Sequence, residues 1–80
     1  MQSITELNDS LSNLIFNRKT IERNRGLRGV IFKETRDLIS KIDNKSRLPQ
    51  WEQLLNLIDD MILDIELEIE QIQNKNESIR

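Results

Sequence analysis

Residues 49–75 read PQWEQLLNLIDDMILDIELEIEQIQNK and carry the pattern that decides the fold of this chain. Apolar residues recur there at alternating spacings of four and three, which is typical of a helix with one buried seam. Leu54 and Met61 broaden the seam. The pattern predicts one helix from Pro49 to about Lys75, roughly 40 Å long at 1.5 Å per residue. The seam consists of Trp51, Leu55, Ile58, Ile62, Ile65, Ile69 and Ile72.

Two earlier segments also show helical spacing. Ser3 and Glu6 have the spacing of an N-terminal capping box at the start of the first segment. We expect Gly26 to take the left-handed conformation that ends this helix. Pro49 suits the first turn of the third helix, where its missing N–H costs nothing. The first stripe is Ile4, Leu7, Leu11, Leu14, Ile15 and Ile21, and the second is Leu27, Ile31, Leu38 and Ile42, widened by Phe32 and Ile39.

We predict an all-α fold, either a small three-helix bundle or a helical hairpin with a long C-terminal amphipathic helix. The alternative is a continuous heptad frame from residue 4 to residue 42, which would join the first two helices into one. Three helices are favoured because Gly26 and Gly29 each cost about 1 kcal/mol inside a helix. The single domain, residues 1–80, then has helices at about 4–25, 28–43 and 49–75 and a frayed tail at 76–80.

Composition excludes several classes of function. The 80 residues include no Cys and no His, which excludes a disulfide scaffold, a zinc site of the usual kind and a Cys or His nucleophile. Asp60 and Asp64 share a helix face, but a chain this short lacks the cavity of a magnesium-dependent prenyl-transferring enzyme, so we interpret them as solvated charges. We expect no enzymatic activity, no cofactor, no metal ion and no small-molecule substrate.

The N-terminal residues lack the basic and apolar regions of a secretory signal, and no window approaches 18 apolar residues. We therefore expect a cytoplasmic protein without a membrane segment. Ile, Asn and Lys total 25 residues, whereas Ala, Gly and Pro total 3. This bias indicates an AT-rich coding sequence, as in a low-GC bacterium or a phage.

The third helix carries more apolar surface than one seam requires. Leu63 and Leu67 lie opposite the seam, one turn apart, and Leu57 also lies off it. Since so short a chain is marginal alone, we expect oligomerisation or a partner to complete the bundle. The leading hypothesis is a non-enzymatic helical protein–protein interaction module, such as an adaptor, regulator, inhibitor or assembly subunit. The predicted partner interface is Trp51, Leu57, Leu63 and Leu67.

Charge is divided along the chain. Residues 1–47 hold 10 basic and 6 acidic side chains, and residues 48–80 hold 2 basic and 8 acidic ones. Residues 18–36 alone hold 7 basic and 2 acidic groups, mostly Arg, whose planar fork suits phosphate. The alternative function is therefore a nucleic-acid-binding accessory protein or a ribonucleoprotein subunit, unless this cluster pairs with the acidic third helix. The candidate contacts are Arg18, Lys19, Arg23, Arg25 and Arg28, with Phe16 and Phe32 available for base stacking.

Overall fold

The structure is a computed structural model that describes residues 3–78 and, at the C-terminal end, side chains as far as residue 75. It contains three helices: α1 is Ile4–Asn24, α2 is Lys33–Ile39 and α3 is Gln50–Ser78. No strand occurs in residues 3–78. The prediction of an all-α three-helix fold is confirmed. The alternative of one continuous helix is wrong, because residues 25–32 leave the helical path between α1 and α2.

The core is an apolar seam between α1 and α3, closed at one side by α2. The two long helices run antiparallel, since Arg18 of α1 pairs with Asp59 of α3, whereas Ser10 lies level with Asp64 and Ile65. Burying apolar side chains from all three helices removes them from water, which is the main stabilising contribution in a domain of this size. The buried apolar residues are Leu7, Leu14, Ile21, Leu38, Leu54, Ile58 and Ile65.

The observed burial of three apolar residues differs from the apolar stripes that the sequence predicts. Leu54, expected only to broaden the seam, is fully buried, because α2 packs on the side of α3 that carries Leu54 and Met61. Ile15 is 39% exposed, because the buried face of α1 is turned away from it. Ile31 is 57% exposed, because it lies in the loop before α2 and not within a helix.

Both ends of α1 are capped, the first by a side-chain hydroxyl and the second by backbone hydrogen bonds. Ser3 is the N-cap, and its hydroxyl accepts a hydrogen bond from the N–H of Glu6 at 3.2 Å, as the capping pattern predicts. At the other end the left-handed residue is Arg25, with φ 50° and ψ 44°, and not Gly26. Gly26 follows it and donates its N–H to the carbonyl of Ile21 at 3.4 Å. The helix thus ends one residue earlier than the glycine alone suggested.

α2 is seven residues long, much shorter than the predicted 28–43. Its start is delayed because the carbonyl of Arg28 and the N–H of Phe32, which a longer helix would bond to each other, are both bonded to side chains of α1. At its C-terminal end, the N–H groups of Lys41 and Ile42 donate to the carbonyls of Leu38 and Ile39. These bonds span three residues, as in a 3₁₀ turn, and they close the last turn. These bonds satisfy the backbone groups at both ends of α2 that a longer helix would otherwise pair.

α3 is a single uninterrupted helix of 29 residues, as the heptad pattern predicts. The carbonyl of Pro49 accepts the N–H groups of Glu52 and Gln53 at 3.1 Å, so the proline stands directly before the helix. Residues 76–78, placed in the predicted frayed tail, are helical, and residues 79–80 lie outside the described residues. The side chain of Gln53 reaches back to hold the loop between α2 and α3 through both backbone groups of Asp43.

One polar group in the core has no partner. Thr35 of α2 is fully buried, and its hydroxyl makes no hydrogen bond to any residue that the structure describes. A buried hydroxyl without a partner costs stability, because it has lost its hydrogen bonds to water.

We predict that Thr35→Val, which keeps the shape of the side chain and removes the hydroxyl, raises the free energy of unfolding by about 1 kcal/mol. Urea denaturation followed by far-UV circular dichroism measures this. Thr20→Val is the matched control and should give no such gain, because the Thr20 hydroxyl already donates to the carbonyl of Phe16 at 3.0 Å. A loss of stability in Thr35→Val would show that the hydroxyl contributes to the fold.

Candidate interaction surfaces

The side of α3 that faces away from α1 carries an apolar strip, formed by Leu63 and Leu67. The two side chains are 56% and 48% exposed and lie one helical turn apart. They lie opposite Ile58 and Ile65, which are buried in the seam. The structure therefore leaves these two leucines in solvent, where the sequence pattern placed them. We call Leu63 and Leu67 the outer strip of α3.

Carboxylates surround the outer strip. Residues 50–74 contain seven acidic side chains and no basic one. Five of them are exposed between residues 60 and 70, and four of these five flank the strip on both sides. The strip is thus a small apolar surface in a strongly negative field. The flanking residues are Asp60, Asp64, Glu66 and Glu70.

The other two residues of the predicted partner interface are placed differently. Trp51 and Leu57 are partly buried and pack against the core of the same molecule. Leu57 lies one turn before Met61, on the side of α3 that is turned towards α2, and it is partly buried there. Only Leu63 and Leu67 of the four therefore form one exposed surface, and whether any of them contacts a partner stays a prediction.

Arg18, the first residue of the predicted nucleic-acid contact, is already engaged within the molecule. Its Nε donates to Asp59 Oδ1 at 2.6 Å, and its Nη1 lies 2.8 Å from Glu22 Oε2. The hydrogen bond with Asp59 raises the pKa of Arg18 above its ordinary value, since it favours the charged guanidinium. The side chains are partly exposed, so the pair contributes at most about 1 kcal/mol to stability. It does tie α1 to the acidic helix.

The remaining basic residues of the cluster stay exposed. Lys19, Arg23, Arg25 and Arg28 form no ion pair with any residue that the structure describes. Between residues 10 and 24 the only carboxylate is Glu22, and Arg18 offsets its charge. Arg18 therefore pairs with α3, whereas the other four charges face solvent, and whether those four contact nucleic acid stays a prediction.

Two aromatic side chains that are distant in sequence meet beside these charges. The rings of Phe16 and Phe32 lie 5.8 Å apart in an edge-to-face arrangement at 85°. Phe16 is nevertheless 55% exposed. It forms one wall of a shallow groove of about 470 Å³, which we call the aromatic-basic groove. Phe32 stands beside it, and the residues lining it are Phe16, Lys19, Thr20, Arg23 and Asn24.

Asn17 holds this arrangement in place. It is fully buried; its Nδ2 donates to the carbonyl of Gly29 at 2.9 Å, and its Oδ1 accepts the N–H of Phe32 at 3.4 Å. Asn24 adds a bond from its Nδ2 to the carbonyl of Arg28 at 3.0 Å. Sequence reasoning missed Asn17, although its position between Leu14 and Ile21 on the apolar stripe marked it as a buried amide in need of a partner.

A second depression lies where the three helices meet. It has a volume of about 480 Å³ and is lined by four carboxylates and by Ser10, Lys33, Met61 and Ile65. Among residues 3–75, no three acidic side chains come close enough together to hold a metal ion. No helix within residues 3–78 combines the length and the apolar content that crossing a membrane requires.

Comparisons with protein-family models, with curated proteins and with solved structures find no significant match to this chain. Its function is therefore inferred from its own residues and their geometry.

The loop that brings Phe32 to Phe16 requires a glycine at one position only. Gly29 has φ +88°, and a Cβ placed on it would lie 2.6 Å from Thr20 Cγ2, which is closer than two carbon atoms can approach. Gly26 has an ordinary φ, and the nearest atom to its Cβ position is 3.9 Å away.

We predict that Gly29→Ala lowers the free energy of unfolding by about 1–3 kcal/mol, because it combines backbone strain with a steric clash. Gly26→Ala is the matched control and should change it by less than about 1 kcal/mol. Urea denaturation of both variants, followed by Trp51 fluorescence, provides the comparison. Equal effects would contradict the loop conformation described here.

Proposed function

We propose that this chain is a non-enzymatic protein–protein interaction module that binds its partner through the outer strip of α3. The observation that carries the proposal is the exposure of Leu63 and Leu67 on the side of α3 opposite a complete buried seam. Leucines one turn apart are the kind of anchor that inserts into the apolar stripe of a partner helix. The two residues contribute little to the core, so binding is the role that accounts for them.

The charges around the strip indicate the chemistry of the partner. A second copy of α3 laid against the first would bring carboxylates of the two chains together, and like charges at an interface cost free energy. A helix with an apolar stripe flanked by Lys and Arg would instead bury the leucines and pair with Asp60, Asp64, Glu66 and Glu70. We therefore propose a basic amphipathic helix of another protein as the occupant, and not a second copy of this chain.

The proposal predicts that Leu63→Ser/Leu67→Ser weakens binding to such a partner by about 2 kcal/mol or more, which is roughly 30-fold. The exchange keeps every charge, so it isolates the apolar contribution. It should leave the free energy of unfolding within about 0.5 kcal/mol, because both side chains are exposed. Ile15→Ser, an exposed apolar residue on α1, is the matched control.

The measurement is a quantitative affinity capture from native cells with the three forms of the chain, followed by calorimetry on the retained protein. A protein that the wild type and Ile15→Ser retain, that Leu63→Ser/Leu67→Ser loses, and that binds more weakly at high salt supports the proposal. If all three forms retain the same proteins, the strip is not a binding site. If sedimentation shows a dimer that only the double substitution dissociates, the occupant is a second copy and the basic partner is excluded.

A further inference from the structure

The aromatic-basic groove lies on the outer face of α1 and is not used by the proposed function. Lys19 and Arg23 follow Phe16 by three and seven residues, so all three side chains lie on one face of the helix. From Phe16 to Asn24 the face is about 12 Å long at 1.5 Å per residue. A flat ring and two cations thus occupy a length that fits a few nucleotides and is too short for an extended duplex contact.

The cations of the groove are available to an external anion. No described carboxylate pairs with Lys19 or Arg23, and Arg18 already compensates Glu22. Arg28 is exposed nearby, where Asn24 holds its backbone. Positive charges without internal partners are where phosphate groups bind, since binding them releases counterions from the nucleic acid.

The pair of Phe16 and Phe32 indicates which anion binds in the groove: an acidic peptide, a nucleic-acid duplex or a single strand. An acidic peptide would use the cations, whereas an unpaired base can in addition stack its flat face on the exposed phenyl ring, so the ring favours a nucleotide. In a duplex the bases are already stacked on each other, so Phe16 could stack on a base only if the two nucleic-acid strands separated. Phe32 fixes the ring of Phe16 from one side by edge-to-face contact, while Phe16 remains more than half exposed.

The groove is also preorganised. Asn17, Asn24 and Gly29 fix the loop that carries Phe32 against α1. A ligand therefore does not have to order the loop, which removes part of the entropic cost of binding.

From these observations we propose that the aromatic-basic groove binds single-stranded nucleic acid, with a base stacked on Phe16 and the adjoining phosphates held by Lys19 and Arg23. The contact is sequence-tolerant, because every base offers a flat face. Arg18, which the sequence placed first among the contacts, is not part of it, since Asp59 and Glu22 hold its guanidinium.

The test is fluorescence anisotropy of the full chain with labelled oligouridine and oligothymidine of about 12 nucleotides, within the site sizes of single-strand binding folds. The same length of duplex is measured beside them at about 50 mM salt and at higher salt. We expect single strands to bind more tightly than the duplex. Two phosphate contacts give a salt slope near −1.4, since each contributes about −0.7 on single strands.

Two substitutions separate stacking from charge. Phe16→Leu keeps an apolar side chain without a flat face and should weaken binding about 5- to 150-fold, the range reported for loss of one stacking contact. Lys19→Gln/Arg23→Gln should reduce the salt slope by about 1.4. The controls are Ile15→Ala, which removes an exposed apolar group outside the groove, and Lys41→Gln/Arg47→Gln, which removes the same charge elsewhere. Both controls should bind as the wild type does.

Three results would overturn the proposal: no binding of single strands at low salt, equal binding of duplex and single strand with Phe16→Leu unaffected, or dissociation of self-associated chains by Lys19→Gln/Arg23→Gln. The last would make the acidic helix of another copy the occupant of the groove. Leu63→Ser/Leu67→Ser should bind single strands normally, so failure of the proposed function and failure of this one are distinguishable.

Discussion

The burial of Asn17 is the constraint from which the rest of the structure follows. An amide enclosed among leucines and isoleucines must find a donor and an acceptor inside the molecule, because no water reaches it. It finds them in the backbone of Gly29 and Phe32. The chain therefore turns back onto α1 directly after that helix ends. The start of α2, its position between the long helices and the contact of Phe32 with Phe16 are all consequences of this turn.

The second loop follows the same principle. Gln53, near the start of α3, bonds to both backbone groups of Asp43 and to the carbonyl of Leu48. Each long helix thus anchors the loop next to it through amide side chains, of which Asn17 and Gln53 each donate and accept at the same time. In a chain without disulfides or metal ligands, these amides supply specific geometry that the apolar seam alone does not impose.

The periodic spacing of residues predicted the helices of this chain, but it did not predict the structure that depends on hydrogen bonds between side chains of α1 and the backbone that follows it. The heptads of α3, the Ser3 cap and the exposed position of Leu63 and Leu67 follow from local spacing. The short α2 does not, because the backbone groups of Arg28 and Phe32, just before it, are bonded to side chains of α1 that lie 4 and 15 residues away. The pairing of Phe16 with Phe32 could not be predicted for the same reason, since it depends on where the Asn17 amide finds its partners.

The two outer faces explain why the charge of this chain is divided. The seam turns the outer strip of α3 and the aromatic-basic groove of α1 in opposite directions, so neither can neutralise the other within one molecule. If they neutralised each other between molecules, the contact would join unlike surfaces and would build a ring or an open filament of copies. Among the described ion pairs, that of Arg18 with Asp59 lies at the edge of the seam and joins α1 to α3. Separate partners of opposite charge, a basic helix on one face and a nucleic-acid strand on the other, would satisfy both faces without open-ended assembly.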